Sequence, residues 1–328
     1  MTPSPENPAN SDPLLVVTAR DPLPDGTLVD FLGMPDGTRI RVARFNAPPA
    51  SESVRGTVVI LQGRTEFIEK YFETVETLRA RGFAVATLDW RGQGRSDRPL
   101  KNPQKGHVED FDQYIADLQE VYQRWIHPNC PGPYSMLAHS MGGNIGLRYL
   151  AENPGDFQRG IFSAPMFGLG QTTHPGSGMR FGIRVAQRLG LSEHYISITP
   201  SRGDFTERNH SFEKNGLTHD RERFLRVLAQ LNADPRLLLG APTFGWVAAA
   251  LQSMDALFVP GFPETLKTPI HIVTAAQDSI VSAPAHAELT SRLPLAKRTI
   301  LEGSQHEILI ESDPCRNRFF ETFDAFMA

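Results

Sequence analysis

The sequence predicts an α/β protein: a mostly parallel central sheet flanked by helices, with a helical cap inserted between the two halves of the sheet. Three observations carry this. Short strand-like apolar runs alternate with stretches of helical spacing through the first half of the chain. One of those runs, Thr57-Val58-Val59-Ile60-Leu61, is apolar without alternation, as a central strand covered on both faces requires. Finally, the alternation stops near Met166, gives way to helical stretches without clear strands, and resumes after Pro269.

In order along the chain, Thr27 to Leu32 and Thr38 to Phe45 read as two strands. They are joined by Met34-Pro35-Asp36-Gly37, a good hairpin turn. Thr57 to Leu61 follows. Glu69 to Arg81 has helical spacing, with Phe72, Val75 and Leu78 on one face and Gly82 closing it. Phe83 to Leu88 is the next strand and Phe111 to Trp125 the next amphipathic helix. Tyr134 to Ala138 is a strand that runs into a helix over Asn144 to Ala151, and Arg159 to Ser163 is a further strand. In the insert the helical candidates are Phe181 to Leu189, Arg221 to Leu231 and Phe244 to Leu257. Ile270 to Ala275 and Lys297 to Leu301 complete the strands, and Pro314 to Met327 closes the chain as a helix. The expected organisation is a lead-in over 1–25, a core over 26–165 and 263–328, and a helical cap over 166–262.

Composition narrows the function classes. The chain has 328 residues, enough for a sizeable core, and a net charge of −4, which gives no broad basic face for nucleic acid. Its two cysteines, Cys130 and Cys315, form no C-x-x-C and fit a reducing compartment. Met1 to Pro13 is rich in Pro, Asn and Ser and lacks the apolar stretch of a signal peptide, so a loosely packed lead-in is expected there. No apolar run approaches the roughly 18 residues of a membrane span. A cytoplasmic location is therefore expected. No His/Cys/Asp cluster has metal-ligand spacing and no phosphate-cradling loop is present, so neither a metal nor another cofactor is expected.

The chemistry-bearing stretch is Ala138-His139-Ser140-Met141-Gly142-Gly143, where the strand from Tyr134 turns into a helix with Ser140 at the apex. This is the layout of the nucleophile elbow of α/β-hydrolases, which lifts the Ser hydroxyl clear of the backbone and aims a helix N-terminus at the reacting centre. A Ser hydroxyl needs a base to take its proton, and the base needs a carboxylate to orient it. Asp278 follows the strand Ile270 to Ala275, and His306 follows the strand Lys297 to Leu301. The order Ser, acid, His matches that fold. Each of the three sits where α/β sheets carry their sites, beyond the carboxyl end of a strand. The oxyanion donors expected are the backbone N–H of Met141 and, from the loop after Leu61, that of Arg64. His139 is expected beneath the elbow. His107, His210 and His219 are further histidines that a fold could bring near the site.

These residues resemble the lysophospholipase L2 and monoacylglycerol-lipase-like branch of the α/β-hydrolase superfamily, called serine aminopeptidase-like. Leu88-Asp89-Trp90-Arg91-Gly92-Gln93-Gly94-Arg95-Ser96 is similar to that branch's D-x-R-G-x-G-x-S segment. Gly63-Arg64-Thr65-Glu66-Phe67-Ile68-Glu69-Lys70-Tyr71 is similar to the G-R-x-E-x-x-x-K-Y form of lysophospholipase L2. Gly106-His107-Val108 and Leu217-Thr218-His219-Asp220 look like the same subgroup. The chain departs from the common pattern at Ala138, where Gly is usual, and at Gln62, where many monoacylglycerol lipases have His.

The resemblance implies a serine hydrolase of single-chain lipid esters, lysophospholipid or monoacylglycerol, that forms an acyl-enzyme on Ser140 with His306 as base and transient contact with a membrane surface. Glu66, His139, Met166, Phe167, Phe244 and Trp246 are the candidate substrate-binding residues, with Phe181, Ile183 and Leu257 as further apolar candidates. Packing of the cap's own core is the other reading of the apolar members. A general short-chain carboxylesterase is the rival function. A proline-type aminopeptidase stands behind it, with Glu66, Asp204 and Glu207 as candidate anchors for a peptide amine. A binding module without turnover is a third class, disfavoured because Ser140, Asp278 and His306 are all present.

Overall fold

The computed structural model describes residues 14–48, 54–170, 176–196 and 211–328. The expectation for Met1 to Pro13 lies outside them. One sheet of eight strands organises the molecule: β1 (Thr27–Gly33), β2 (Arg39–Phe45), β3 (Thr57–Leu61), β4 (Ala84–Leu88), β5 (Tyr134–His139), β6 (Arg159–Ser163), β7 (Ile270–Ala275) and β8 (Ala296–Leu301). The spatial order is β1-β2-β4-β3-β5-β6-β7-β8. β1 and β2 are antiparallel, β2 meets β4 antiparallel, and every later pair is parallel. β3 and β4 are buried along their whole length, which is why their sequences do not alternate.

The helices are α1 (Phe72–Arg79), α2 (Asp112–Val121), α3 (His127–Asn129), α4 (Met141–Glu152), α5 (Ser177–Arg188), α6 (Arg221–Ala233), α7 (Phe244–Ala256), α8 (Phe262–Thr265), α9 (Ala283–Arg292) and α10 (Asp313–Met327). Two departures from the sequence reading have local causes. The helix expected from Glu69 begins instead as a tight 3-10 turn, Ile68–Tyr71, in which Glu69 turns inward to bond Arg41 and Lys70 turns to Glu66 and Glu307. α9 was not anticipated, although its start is signalled by Ser282, whose hydroxyl accepts from Ala285 N at 3.2 Å, and by Pro284 in the first turn.

Among the described residues the segment between β6 and β7 holds helices and no strand. Its α7 shares the core of the sheet layers: Trp246, Ala249, Ala250, Leu251 and Met254, with Leu257 just after the helix, join the main apolar cluster. The Ser253 hydroxyl donates to Asn144 Oδ1 on α4 at 2.5 Å. A second, smaller apolar cluster forms where Leu231 and Leu237 pack on Phe67.

Candidate active site

Ser140 follows β5 directly and precedes the first residue of α4. Its backbone is left-handed, φ 49° and ψ −115°, a conformation that costs a non-glycine residue free energy and recurs at functional positions. Close packing maintains it. A Cβ on Gly142 would lie 2.3 Å from the Leu61 carbonyl oxygen, so only glycine lets α4 start this close to the end of β3. The Ser140 carbonyl accepts from Met166 N at 2.8 Å, and Ser140 N donates to Ser163 O at 3.2 Å.

The other two residues arrive from neighbouring strand ends. Ser140 Oγ lies 3.0 Å from His306 Nε2, and His306 Nδ1 lies 2.7 Å from Asp278 Oδ2. The second oxygen of Asp278 accepts from Ile280 N at 2.7 Å and Val281 N at 3.0 Å. Burial pushes the Asp278 carboxyl up, but the hydrogen bond and charge of His306 and those two amides outweigh it and leave Asp278 below the usual range. Asp278 is thus held as the anion that a His partner needs.

Facing Ser140, the loop after β3 turns at Thr65, whose φ of 66° is unusual for a β-branched residue. Thr65 N donates to Gln93 Oε1 at 2.7 Å, and Trp90 Nε1 donates to Gln62 O at 2.9 Å. The Asp89-to-Ser96 segment is therefore a brace for this loop. Asp89 itself accepts from Ile68 N at 2.9 Å and Arg95 N at 2.8 Å, and a Cβ on Gly94 would fall 2.1 Å from its carboxyl carbon. Among the described residues the backbone N–H groups of Arg64 and Met141 have no protein acceptor.

Glu66 lies beneath the same loop. Its Oε2 accepts from Gly63 N and from Tyr71 Oη (2.7 Å), and its Oε1 accepts from Lys70 Nζ at 2.7 Å. Lys70 Nζ also donates to Glu307. Burial pushes the Glu66 carboxyl up, but Lys70 and the other partners hold it well below the ordinary value. His139 is buried, with its Nδ1 3.0 Å from Ser163 O and its Nε2 3.8 Å from Glu66 Oε1; burial lowers its pKa. Its ring centroid is 4.9 Å from that of His306.

The remaining candidates divide. Met166 backs the elbow, and Phe167 is fully buried against Phe162 and His286. Trp246 lies over the Arg64 guanidinium at 5.1 Å, and Phe244 is half-buried at the start of α7. Ile183 and Leu257 are buried in the core. Phe181 is 67% exposed, which removes it from any internal lining: α5 turns Ile183 and Ala186 inward and leaves the next face out. His107 Nδ1 is 2.8 Å from Thr243 Oγ1, a structural bond. His219 pairs with buried Glu311 at 2.8 Å beside the His306 loop. Asp204, Glu207 and His210 lie outside the described residues. Sequence reasoning missed a cavity of about 110 Å³ walled by Thr65, Lys70 and Glu307 and, from α6, Phe224, Leu228 and Leu231. The apolar spacing of Arg221 to Leu231 was its only local sign. Among the described residues no group of three or more His, Cys, Asp or Glu could hold a metal ion, and no helix is long and apolar enough to cross a membrane.

A Ser-His-Asp chain at the carboxyl ends of β5, β8 and β7 of this sheet defines an α/β-hydrolase of the serine type. The model of the family described as serine aminopeptidase, S33, matches residues 52–313, and the chain belongs to that family. It is 31% identical over 300 residues to lysophospholipase L2 of Escherichia coli (strain K12), covering 88% of this chain and 83% of that protein. It is 24% identical over 261 residues to the monoacylglycerol lipase of Mycolicibacterium smegmatis, covering 79% and 84%. Its fold is also that of a soluble variant of monoglyceride lipase from Saccharomyces cerevisiae solved with a substrate analog. That match has a TM-score of 0.72 and 18% identity over 92% of this chain and 95% of that one.

Proposed function

We propose that the protein hydrolyses the ester of a single-chain lipid, a lysophospholipid or monoacylglycerol, through an acyl-enzyme on Ser140. The observation that carries this is the unbroken chain Ser140 Oγ–His306–Asp278 at 3.0 and 2.7 Å, with the unpartnered Arg64 and Met141 amides flanking the nucleophile loop. His306 Nε2 takes the Ser140 proton as Oγ attacks the ester carbonyl. The Arg64 and Met141 amides receive the oxyanion. The intermediate then expels the alcohol, which takes the proton from His306. Water, activated by the same His306, attacks the acyl-enzyme, releases the fatty acid and returns the proton to Ser140.

The segment 166–262 serves as the cap over this centre, and the apolar α6 face lining the 110 Å³ cavity fits an alkyl chain better than a headgroup. The names of the E. coli and Mycolicibacterium relatives point to the same substrate class. A peptide amine is a poorer fit, since the Glu66 carboxylate is already engaged by Gly63, Lys70 and Tyr71. Fatty-acid release should be followed in parallel from lysophosphatidylethanolamine, monoacylglycerol and p-nitrophenyl butyrate. Turnover of either lipid at least about 10-fold faster in kcat/KM than the short ester is expected, and turnover of the short ester alone would leave a general carboxylesterase.

The outer face of α5 supports a peripheral membrane contact. Phe181 (67% exposed), Val185 and, just past the helix, Leu189 (70% exposed) form one stripe at i, i+4 and i+8, and Arg184 and Arg188 adjoin it, while Arg180 turns to Asp255 on α7 at 2.8 Å. An apolar stripe edged by arginines suits the boundary of an anionic bilayer. Anionic vesicles should co-sediment the protein and neutral ones much less, and Phe181→Ser with Leu189→Ser should abolish the difference. Protein left wholly in solution with anionic vesicles would reject the contact.

A further inference from the structure

The two loops that carry the site come from opposite ends of the sequence, and one buried cation joins them. Lys70 Nζ donates to Glu66 and to Glu307, residues 66 and 307 in the chain. Side-chain exposure is 7% for Lys70, 3% for Glu66 and 12% for Glu307. Glu66 grips the oxyanion loop through Gly63 N and Tyr71. Glu307 immediately follows His306, and its backbone N–H is tied to Leu217 O at 2.8 Å. Burial alone would depress the Lys70 ammonium, but the two carboxylates outweigh it and keep it charged.

We propose that Lys70 is a positioning residue for catalysis: its ammonium clamps the oxyanion loop, through Glu66, to the His306 loop, through Glu307, and so sets the spacing between the oxyanion amides and the base. The proposal rests on the reading of Ser140, His306, Arg64 and Met141 given above. A bond between loops that only stabilised the fold need not converge on these two. This one ends one residue from His306 and on the carboxylate that holds Gly63, next to Arg64. A shift of about 1 Å between such parts is enough to cost about 10²-fold in rate.

The clamp is also an electrostatic element of the site. His306 is faced by Asp278 from the β7 loop, by Ser140 and His139 from the end of β5, by His286 from α9 and by Glu307 from its own loop. His139 Nε2 stands 3.8 Å from Glu66 Oε1, and its ring lies against that of His306. Within the Glu66–Lys70–Glu307 group the ammonium is the cation that both carboxylates share.

The test uses p-nitrophenyl butyrate with the full chain. Lys70→Met should lower kcat about 10²-fold with KM changed less than about threefold, since positioning acts in the transition state. Glu307→Gln, which breaks the clamp from its other side, should lower kcat at least about 10-fold, again with KM nearly unchanged, and is the variant to use if Lys70→Met does not fold. Lys70→Arg, which keeps the charge, should recover most of the rate. Lys70→Met or Glu307→Gln with kcat within about twofold of the parent would overturn the proposal. Activity surviving in Ser140→Ala would instead reject the catalytic reading beneath it.

Discussion

Ser140→Ala is expected to lower kcat on p-nitrophenyl butyrate by about 10⁴–10⁶-fold while leaving the protein folded. The hydroxyl is the atom that His306 Nε2 faces at 3.0 Å, and among the described residues no other side chain bonds to that nitrogen. Water placed by the remaining groups has no comparable orientation, so only the rate owed to the oxyanion amides survives. The left-handed backbone at φ 49° strains alanine as much as serine, so urea unfolding should agree within about 1 kcal/mol. His306→Ala should cost a similar factor, and the double variant little more, because the pair acts as a unit. A fluorophosphonate probe should label the parent stoichiometrically and neither variant. Activity of Ser140→Ala within tenfold of the parent, on the order that binding alone explains, would remove Ser140 from the mechanism.

Arg41→Met is expected to cost about 3–5 kcal/mol of unfolding free energy. Arg41 lies in β2 with its side chain fully buried, and so are its partners Glu69 and Asp89. Its Nε donates to Asp89 Oδ2 at 2.7 Å, Nη2 to Glu69 Oε2 at 2.7 Å, and Nη1 to Glu69 Oε1 and Leu14 O, both at 2.8 Å. Burial opposes the guanidinium charge, but Asp89 and Glu69 more than offset it and raise its pKa. Methionine fills much of the volume and removes the cation that both carboxylates bond, leaving them without it in a dry site. Breaking a buried pair from one side is far more damaging than replacing both sides, for that reason. Glu69→Gln alone should therefore be milder, and adding it to Arg41→Met should recover part of the loss. Asp89 cannot be removed as freely, because it also receives Ile68 N and Arg95 N. Urea midpoints within error of the parent for Arg41→Met would show that the site is wet and the ion pairs idle.

The legible part of this molecule was the part written in local pattern. β3, β6 and β7 begin and end at the residues expected, because a buried parallel strand is a continuous apolar run between turn residues. Asp278 and His306 were legible because each follows a strand by a few residues, and Ser140 because a glycine-flanked turn separates strand from helix. What stayed hidden depends on distance along the chain. Arg41 reads as a solvent-facing strand residue until Glu69 and Asp89, 28 and 48 positions away, fold onto it. Lys70 and Glu307 are 237 positions apart, and no spacing rule links them. Phe181 misled for another reason. The apolar arc of α5 is wider than the face the helix buries, so its sequence does not say which half turns inward.

The insert between β6 and β7 is riveted at one end. Thr218 Oγ1 donates to Ile310 O at 2.8 Å, His219 meets Glu311 at 2.8 Å, and Arg223 spans Glu73, Asp220, Asp313 and the Glu311 carbonyl. All of those counterparts except Asp220 lie outside the insert, on α1, at the start of α10 or in the stretch before it. The segment is consequently not an exchangeable module. A chimera that borrows 166–262 from a relative without matching Glu73, Glu311 and Asp313 would disturb the loop bearing His306, whereas exchanges confined to α5 would leave that loop untouched. Within the insert the arginine-edged helix is the part freest to change, and Leu217 to Arg223 the most constrained.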